Sequence, residues 1–137
     1  MNISKFTQKS IQAVQDLEKI AYEYGNQEVE QEHLLYALLS QEDSLILKLI
    51  EKMEINKEYF VNTVKKALDA RVKVSGGDLR FGQYLNKSLV SAEDEARAMG
   101  DEYVSVEHLF LSLLKQPSPS MKKIFDEFGI TRERFLQ

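Results

Sequence analysis

The sequence predicts an all-α domain made of two tandem four-helix repeats with pseudo-twofold symmetry. The first observation is an internal duplication, because residues 104–114 are a near copy, without a gap, of residues 29–39, which lie 75 positions earlier. At that offset about one position in four is identical along the two halves, which is typical of a repeat. The second observation is the spacing of the leucines in both copies, three and four residues apart, which places them on one helix face. The third is the small number of helix breakers, six glycines and two prolines in 137 residues.

Four short helices are predicted in the first repeat. Apolar residues at helical intervals indicate a first helix over 6–24, and Gly25 follows as the residue best able to adopt the left-handed conformation after a last turn. The duplicated segment forms the second helix, up to about Ser40, and the apolar residues between 45 and 53 outline a third. Asn56 is a predicted N-cap for the fourth helix.

A glycine-containing linker, about 71–80, separates repeat one, about 3–70, from repeat two, about 81–137. The helical pattern is lost here, and the adjacent Gly76 and Gly77 supply freedom for a turn. No Gly-Lys-Ser/Thr sequence follows these glycines, so a phosphate-binding P-loop is excluded. We expect a flexible connector.

The second repeat follows the same helix order from Phe81 onward, with two informative differences. Ser118 and Pro119 supply an N-cap and a first-turn proline for the seventh helix. Gly129 stands where the first repeat has Glu54, in a turn between two helices. Glycine suits a positive φ at such a turn, whereas a glutamate would lose on the order of 1 kcal/mol by adopting it.

The last helix is predicted to begin near Thr131, and the sequence stops at Gln137. This point precedes the equivalent of Leu68, so the apolar stripe of the helix is unfinished and the last helix is truncated. We therefore expect the natural protein to continue beyond this fragment.

Composition excludes several classes of function. A net charge of −4, with basic residues spread among acids, argues against nucleic-acid binding, which needs a concentrated basic face. The absence of cysteine excludes disulfides and thiol chemistry and agrees with a reducing compartment. The N-terminus has no apolar core of a signal peptide, and no apolar run is long enough to span a bilayer. We expect a cytoplasmic protein that does not bind membranes.

The two Glu-His pairs, at 32–33 and 107–108, are the candidate chemical groups. A metal site is not expected, because each helix offers a single Glu-His pair and no cysteine. The acids lie in the first turn of their helices, where they interact favourably with the backbone dipoles, so a purely structural role and a binding role both stay open. No catalytic triad or paired-carboxylate pocket is indicated. The leucines of the stripes are predicted core residues, namely Leu34, Leu38, Leu39, Leu109, Leu113 and Leu114.

The doubled unit resembles the Clp repeat, which forms the N-terminal domain of the Clp ATPase unfoldases. The resemblance covers essentially the whole chain and depends on a long first helix, Gly25 or Gly100, and then Val-x-x-Glu-His-Leu-x-x-x-Leu-Leu. Residues 26–35 and especially 101–109 are most similar to the ClpB disaggregase branch, whereas the ClpC branch more often has Gly-Thr before its Glu-His.

This resemblance implies a non-catalytic domain that binds unfolded or aggregated polypeptide and helps deliver it to a central pore. It also implies cooperation with the DnaK chaperone system, a monomeric fragment, a homohexameric full-length protein, and ATP and Mg²⁺ bound outside the fragment, which itself needs no cofactor. The family positions linked to substrate engagement match Thr7, Asp101 and Glu107 here.

A ClpC-like receptor for phosphoarginine-tagged proteins is the alternative. Thr7, Glu32 and Glu107 match the threonine and glutamates that this branch uses, but Gly82 replaces its second threonine. Paired carboxylates suit a guanidinium, since arginine makes bidentate contacts with planar acids. A third interpretation is a docking module for folded adaptor proteins.

Overall fold

Eight α-helices make up most of the computed structural model, which describes residues 3–137. A 3-10 helix, Ile3–Lys5, precedes them, and two short strands accompany them. The predicted all-α class is confirmed. The helices are α1 (Gln8–Glu23), α2 (Gln31–Leu39), α3 (Leu45–Lys52), α4 (Lys57–Asp69), α5 (Gln83–Ala98), α6 (Val106–Lys115), α7 (Pro119–Phe128) and α8 (Arg132–Leu136), and the strands are β1 (Glu28–Val29) and β2 (Arg80–Phe81).

The helix ends follow local sequence signals. Asn56 caps α4 by accepting a hydrogen bond from the Tyr59 amide, and Ser118 caps α7, with Pro119 in its first turn, as predicted. Gly25 adopts a positive φ of 71° directly after α1, also as predicted. These caps fix where each helix begins and ends, and thereby how long each connecting loop is.

The two repeats exchange their first residues, meaning that the start of each repeat pairs with the loop before the second helix of the other. Strand β2 of the second repeat pairs in parallel with β1 of the first, with Val29 opposite Phe81. The equivalent bridge, 75 positions away, joins Phe6 of the first repeat to Val104 of the second. The backbone just before α2 and just before α6 therefore pairs with backbone of the other repeat, and the two repeats form one body.

The core lies between the two copies of the duplicated helix, α2 and α6. Five of the six predicted core leucines are buried. The prediction is wrong for Leu114, which is only partly buried because it lines an open groove of about 470 Å³ between α5, α6 and α8. Two fully buried aromatic residues anchor the core, Phe60 and Phe110, and the Phe110 ring stacks on Phe135 at 4.5 Å.

The ends of α3 and α7 meet at a single arginine. The guanidinium of Arg134 donates from Nη1 to the carbonyls of Phe128 and Gly129, both at 3.0 Å, and from Nη2 to the carbonyl of Met53. Met53 and Phe128 are equivalent positions in the two repeats. One cation therefore satisfies carbonyls at the carboxyl ends of both helices, where a positive charge is favourable.

The connector between the repeats is anchored, which differs from the flexible linker expected from its glycines. The amide of Val74 donates to the carbonyl of Gly25 at 2.9 Å, and the amide of Arg80 donates to the carbonyl of Gln27 at 3.0 Å. The side chain of Asn26 also donates to the Val72 carbonyl, at 3.1 Å. Gly76 and Gly77 use the freedom expected of them, with φ values of 81° and 85°, but the hydrogen-bond partners of the flanking residues come from another part of the chain.

Glu54 adopts the strained backbone expected from its glycine counterpart, with a φ of 63° against 64° at Gly129. We expect Glu54→Gly to raise the free energy of unfolding by up to about 1 kcal/mol, because the strain relieved exceeds the extra entropy of an unfolded glycine. Urea unfolding checks this. The control Glu51→Gly, inside α3, should lower stability by about 1 kcal/mol. An unchanged or lower melting temperature for Glu54→Gly would contradict the expectation.

Candidate functional site

Two equivalent junctions result from the exchange of first residues. At the first junction the start of α5 lies beside the start of α2, and at the second junction the start of α1 lies beside the start of α6. The amide of Thr7, at the start of α1, donates to the carbonyl of Val104 at 3.0 Å. Thr7 is thereby brought beside the segment 101–107, which contains two further predicted site residues.

The first junction is filled by Glu30. Its carboxylate accepts from the amide of Gln31 at 2.9 Å, and across the repeats from the amides of Tyr84 at 3.0 Å and Leu85 at 3.1 Å. One buried side chain therefore caps both α2 and α5. Burial raises the pKa of the Glu30 carboxyl, and the hydrogen bonds from the Gln31 and Tyr84 amides oppose this rise.

Gly82 is required at this junction for space. A Cβ atom at position 82 would lie 1.9 Å from Oε1 of Glu30, closer than any two such atoms can approach. The backbone of Gly82 has φ −74° and ψ 168°, which any residue adopts. Position 82 therefore lacks the threonine found at the equivalent position 7, because the Glu30 carboxylate caps α5 in place of a threonine hydroxyl.

Hydroxyl groups replace that carboxylate at the second junction. Thr7 caps α1 by accepting from the amide of Ser10 at 3.2 Å, and Ser105 stands in the position of Glu30. The Ser105 hydroxyl lies 3.0 Å from Nδ1 of His108. The two junctions thus share a backbone arrangement but differ in charge.

The histidines are structural caps. Nδ1 of His33 accepts from the Glu30 amide at 2.9 Å, and Nδ1 of His108 accepts from the Ser105 amide at the same distance. The neutral ring with its proton on Nε2 is required, and this atom donates to Asn26 Oδ1 at 2.9 Å in the first repeat and to Asp101 Oδ2 at 2.8 Å in the second. Burial, and then the nearby charge of Arg71, lower the pKa of His33 to about 4.

Glu32 is paired with another side chain of the protein, that of Arg71. Its side chain is 2% exposed, and Oε2 accepts from Nη1 of Arg71 at 2.9 Å. Nη2 of Arg71 also donates to Glu28 at 2.8 Å. The other carboxylate oxygen of Glu32, Oε1, is buried without a hydrogen-bond partner in the described chain, and the residue is among those lining a groove of about 470 Å³. The candidate residue Glu32 thus lies in an internal ion pair, away from the other three.

Glu107, the equivalent acid of the second repeat, is half-buried and has no partner among residues 3–137. Asp101 is 49% exposed, and its second carboxylate oxygen is left over after the bond to His108. Large apolar side chains are exposed in the same segment, at Met99 and Tyr103. The second junction therefore combines available acids with apolar surface, which the first junction does not.

Arg71 and Glu30 were missed as site residues by reasoning from sequence. Only Glu30 had a signal in the sequence, namely the replacement of the Thr7 equivalent by Gly82. Among the described residues, no cluster of three or more His, Asp or Glu side chains could hold a metal ion. None of the helices in that part of the chain is long and apolar enough to cross a membrane.

The chain matches a family model described as the Clp repeat N-terminal domain, over residues 5–128. It is 42% identical to the chaperone protein ClpB of Nitratidesulfovibrio vulgaris, over 99% of the chain and 16% of that protein, and 40% identical to ClpB of Clostridium tetani with the same coverage. The chain thus spans about a sixth of the length of these relatives.

Among solved structures, the fold is similar to the Hsp104 N-terminal domain of Candida albicans, with a TM-score of 0.82, 22% identity and coverage of 96% of this chain and 86% of the other. It is also similar to a ClpV N-domain in complex with a VipB peptide, with a TM-score of 0.74, 22% identity and coverage of 96% and 82%.

Proposed function

The chain belongs to the Clp repeat N-terminal domain family, and we propose that it is the substrate-binding domain of an ATP-dependent protein disaggregase. In this proposal it engages unfolded or aggregated polypeptide at the second junction and helps deliver it to the pore of a hexamer. Similarity to ClpB chaperones along 99% of the chain supports the chaperone role.

The openness of the second junction is the observation that carries this proposal. Glu107 is unpaired within the described chain, Asp101 keeps one free oxygen, and Met99 and Tyr103 expose apolar surface beside them. Apolar contacts give sequence-tolerant affinity, while charged groups at the rim orient the ligand and affect encounter rates. Weak binding is expected, because a disordered client loses conformational entropy on docking.

The proposal also concerns the parts of the protein that lie outside this chain. We expect a cytoplasmic homohexamer whose ATP and Mg²⁺ lie in ATPase domains elsewhere in the polypeptide, and which works with the DnaK system. The domain itself has a binding role and no catalytic one, and by itself it is a monomer.

Thr7→Ala, Asp101→Ala and Glu107→Ala should each weaken capture of an unfolded model protein about threefold, as expected for the loss of one net polar interaction. Fluorescence anisotropy with a labelled, permanently unfolded protein measures capture, and circular dichroism verifies that helicity is unchanged. Glu18→Ala, which removes an exposed acid on α1, is the matched control and should bind like the parent. Normal capture by all three variants would rule out the second junction as the binding surface.

Phosphoarginine-tagged proteins remain the alternative ligand, for one specific reason. The pairing of Arg71 with Glu32 demonstrates that an acid at this helix start can hold a guanidinium. Because Arg71 and Glu30 occupy the first junction, this alternative offers one open site. Titration with free phosphoarginine and with free arginine separates the two ligands, since only the alternative expects the phosphorylated form to bind more tightly.

A further inference from the structure

The connector provides an internal example of a peptide bound to this fold. Its first four residues, 71–74, have neither helix nor strand structure and lie against the loop between α1 and α2. The arginine of this segment pairs with acids, its lysine donates to a carbonyl, its last amide donates to a second carbonyl, and one of its carbonyls accepts from an asparagine. These contacts are Arg71 with Glu28 and Glu32, Lys73 with Tyr24, Val74 with Gly25, and Val72 with Asn26.

The equivalent surface of the second repeat is left uncovered by residues 3–137. Residues 75 positions after those contacted by the connector are Met99, Gly100, Asp101, Tyr103 and Glu107, which we call the open surface. The local backbone is the same, because Gly25 and Gly100 have φ values of 71° and 73° and both loops end in the same histidine cap. In the described chain, no segment lies on the open surface as 71–74 lies on the first repeat.

We propose that the open surface binds a non-helical client segment carrying an arginine, in the manner in which 71–74 binds the first repeat. This inference rests on the proposed function, since it names the kind of segment that the same junction captures. Glu107 pairs with the client arginine as Glu32 pairs with Arg71. The carbonyl of Gly100 accepts a client amide, and Met99 and Tyr103 contact its apolar side chains.

Charge supports a basic ligand. Three acids lie on or beside the open surface, Asp101, Glu102 and Glu107, and the arginine of a client is drawn to them. The cations nearby are Lys5 and Arg97, which line a cleft of about 270 Å³ on one side of Asp101. The Arg97 guanidinium pairs with Asp94 at 3.0 Å, so part of this positive charge is neutralised.

Three positions of the open surface differ from their counterparts, namely Met99 for Tyr24, Asp101 for Asn26 and Tyr103 for Glu28, and the change at Asp101 removes a hydrogen-bond donor. Asn26 accepts from His33 through its oxygen and donates through its nitrogen to the Val72 carbonyl. Asp101 accepts from His108 in the same way but has no donor for a client carbonyl. A segment with the connector sequence should therefore lack this contact and the second arginine pair, since Tyr103 replaces Glu28, and Asp101→Asn should supply the former.

A short peptide tests the proposal directly. The probe is the acetylated and amidated hexapeptide Ala-Arg-Val-Lys-Val-Ser, the sequence of residues 70–75, with a fluorescent label. Titrated into the 137-residue chain, it should bind and shift NMR signals of residues 99–107. Replacing its arginine by glutamine, or introducing Glu107→Gln in the protein, should weaken binding about tenfold, as expected for a lost charge-assisted pair. In contrast, Asp101→Asn should tighten binding about threefold through one added hydrogen bond.

Two results would overturn the inference. One is equal binding of the arginine and glutamine peptides, and the other is a set of NMR shifts confined to the first repeat around Glu28 and Glu32. The gain expected from Asp101→Asn is informative because a merely damaged surface would not bind more tightly. Capture of unfolded protein that is lost in Glu107→Ala, without any arginine preference, would reject this inference and leave the proposed function standing.

Discussion

Gly82→Thr is expected to lower the free energy of unfolding by about 2–3 kcal/mol, although it restores the residue found at the equivalent position 7. The new Cβ would lie 1.9 Å from the Glu30 carboxylate, which must then leave the junction. Three amides, those of Gln31, Tyr84 and Leu85, lose a charged acceptor. The threonine hydroxyl replaces only part of this, because an N-cap contributes about 1 kcal/mol.

The double variant Glu30→Ser/Gly82→Thr should recover most of that loss. It gives the first junction the same pair of residues as the second, Ser105 and Thr7, each of which caps its own helix. Urea unfolding of the two single variants and the double variant forms a complete cycle. Glu30→Ser alone should also destabilise, because α5 would start at a glycine without a side-chain cap. If the double variant is as unstable as the sum of the singles, the two positions do not compete for the same space.

Arg71→Met is expected to cost about 2–4 kcal/mol, because it leaves the buried Glu32 carboxylate without its cation. Methionine retains much of the aliphatic packing of the arginine, so charge is the main change. The lower end of this range allows for the 21% exposure of the Arg71 side chain. Chemical denaturation gives the free energy, and hydrogen exchange at the Val74 amide reports whether the connector has been released from Gly25.

Adding Glu32→Gln to Arg71→Met should recover most of the stability, since no unpaired charge then stays buried. Arg97→Met is the matched control, because Arg97 forms an exposed pair with Asp94 and should change stability by less than about 0.5 kcal/mol. If Arg71→Met is no more harmful than Arg97→Met, the internal ion pair is not what holds the connector.

Features determined by neighbouring residues could be predicted from the sequence. The cap at Asn56, the turn at Gly25 and the strained backbone of Glu54 each depend on a few consecutive positions, and the structure confirms all three. The internal repeat also helped, because the glycine at position 129 predicts a positive φ at the equivalent Glu54, which the structure has. The sequence likewise predicted which helix faces form the core, apart from Leu114.

Features that need two distant segments could not be predicted in the same way. Glu30 caps α5 across more than 50 positions, and no periodicity indicates where a side chain crosses between repeats. The loss of the helical pattern and the adjacent glycines place Arg71 in a flexible connector, whereas the family resemblance places its partner Glu32 on the binding surface. The sequence thus separated candidate binding acids from core leucines, but which acid is available depends on the tertiary fold.

The exchange of first residues between the repeats bears on how such a protein can arise by gene duplication. A lone copy of either half would leave one side of each bridge, Phe6 with Val104 or Val29 with Phe81, without its partner. Two separate copies could satisfy the same hydrogen bonds only by associating as a symmetric dimer. Fusion of the copies then removes the concentration dependence of that association, and it also frees each half to diverge. The acid-filled first junction and the hydroxyl-lined second junction differ in the way that such divergence would produce.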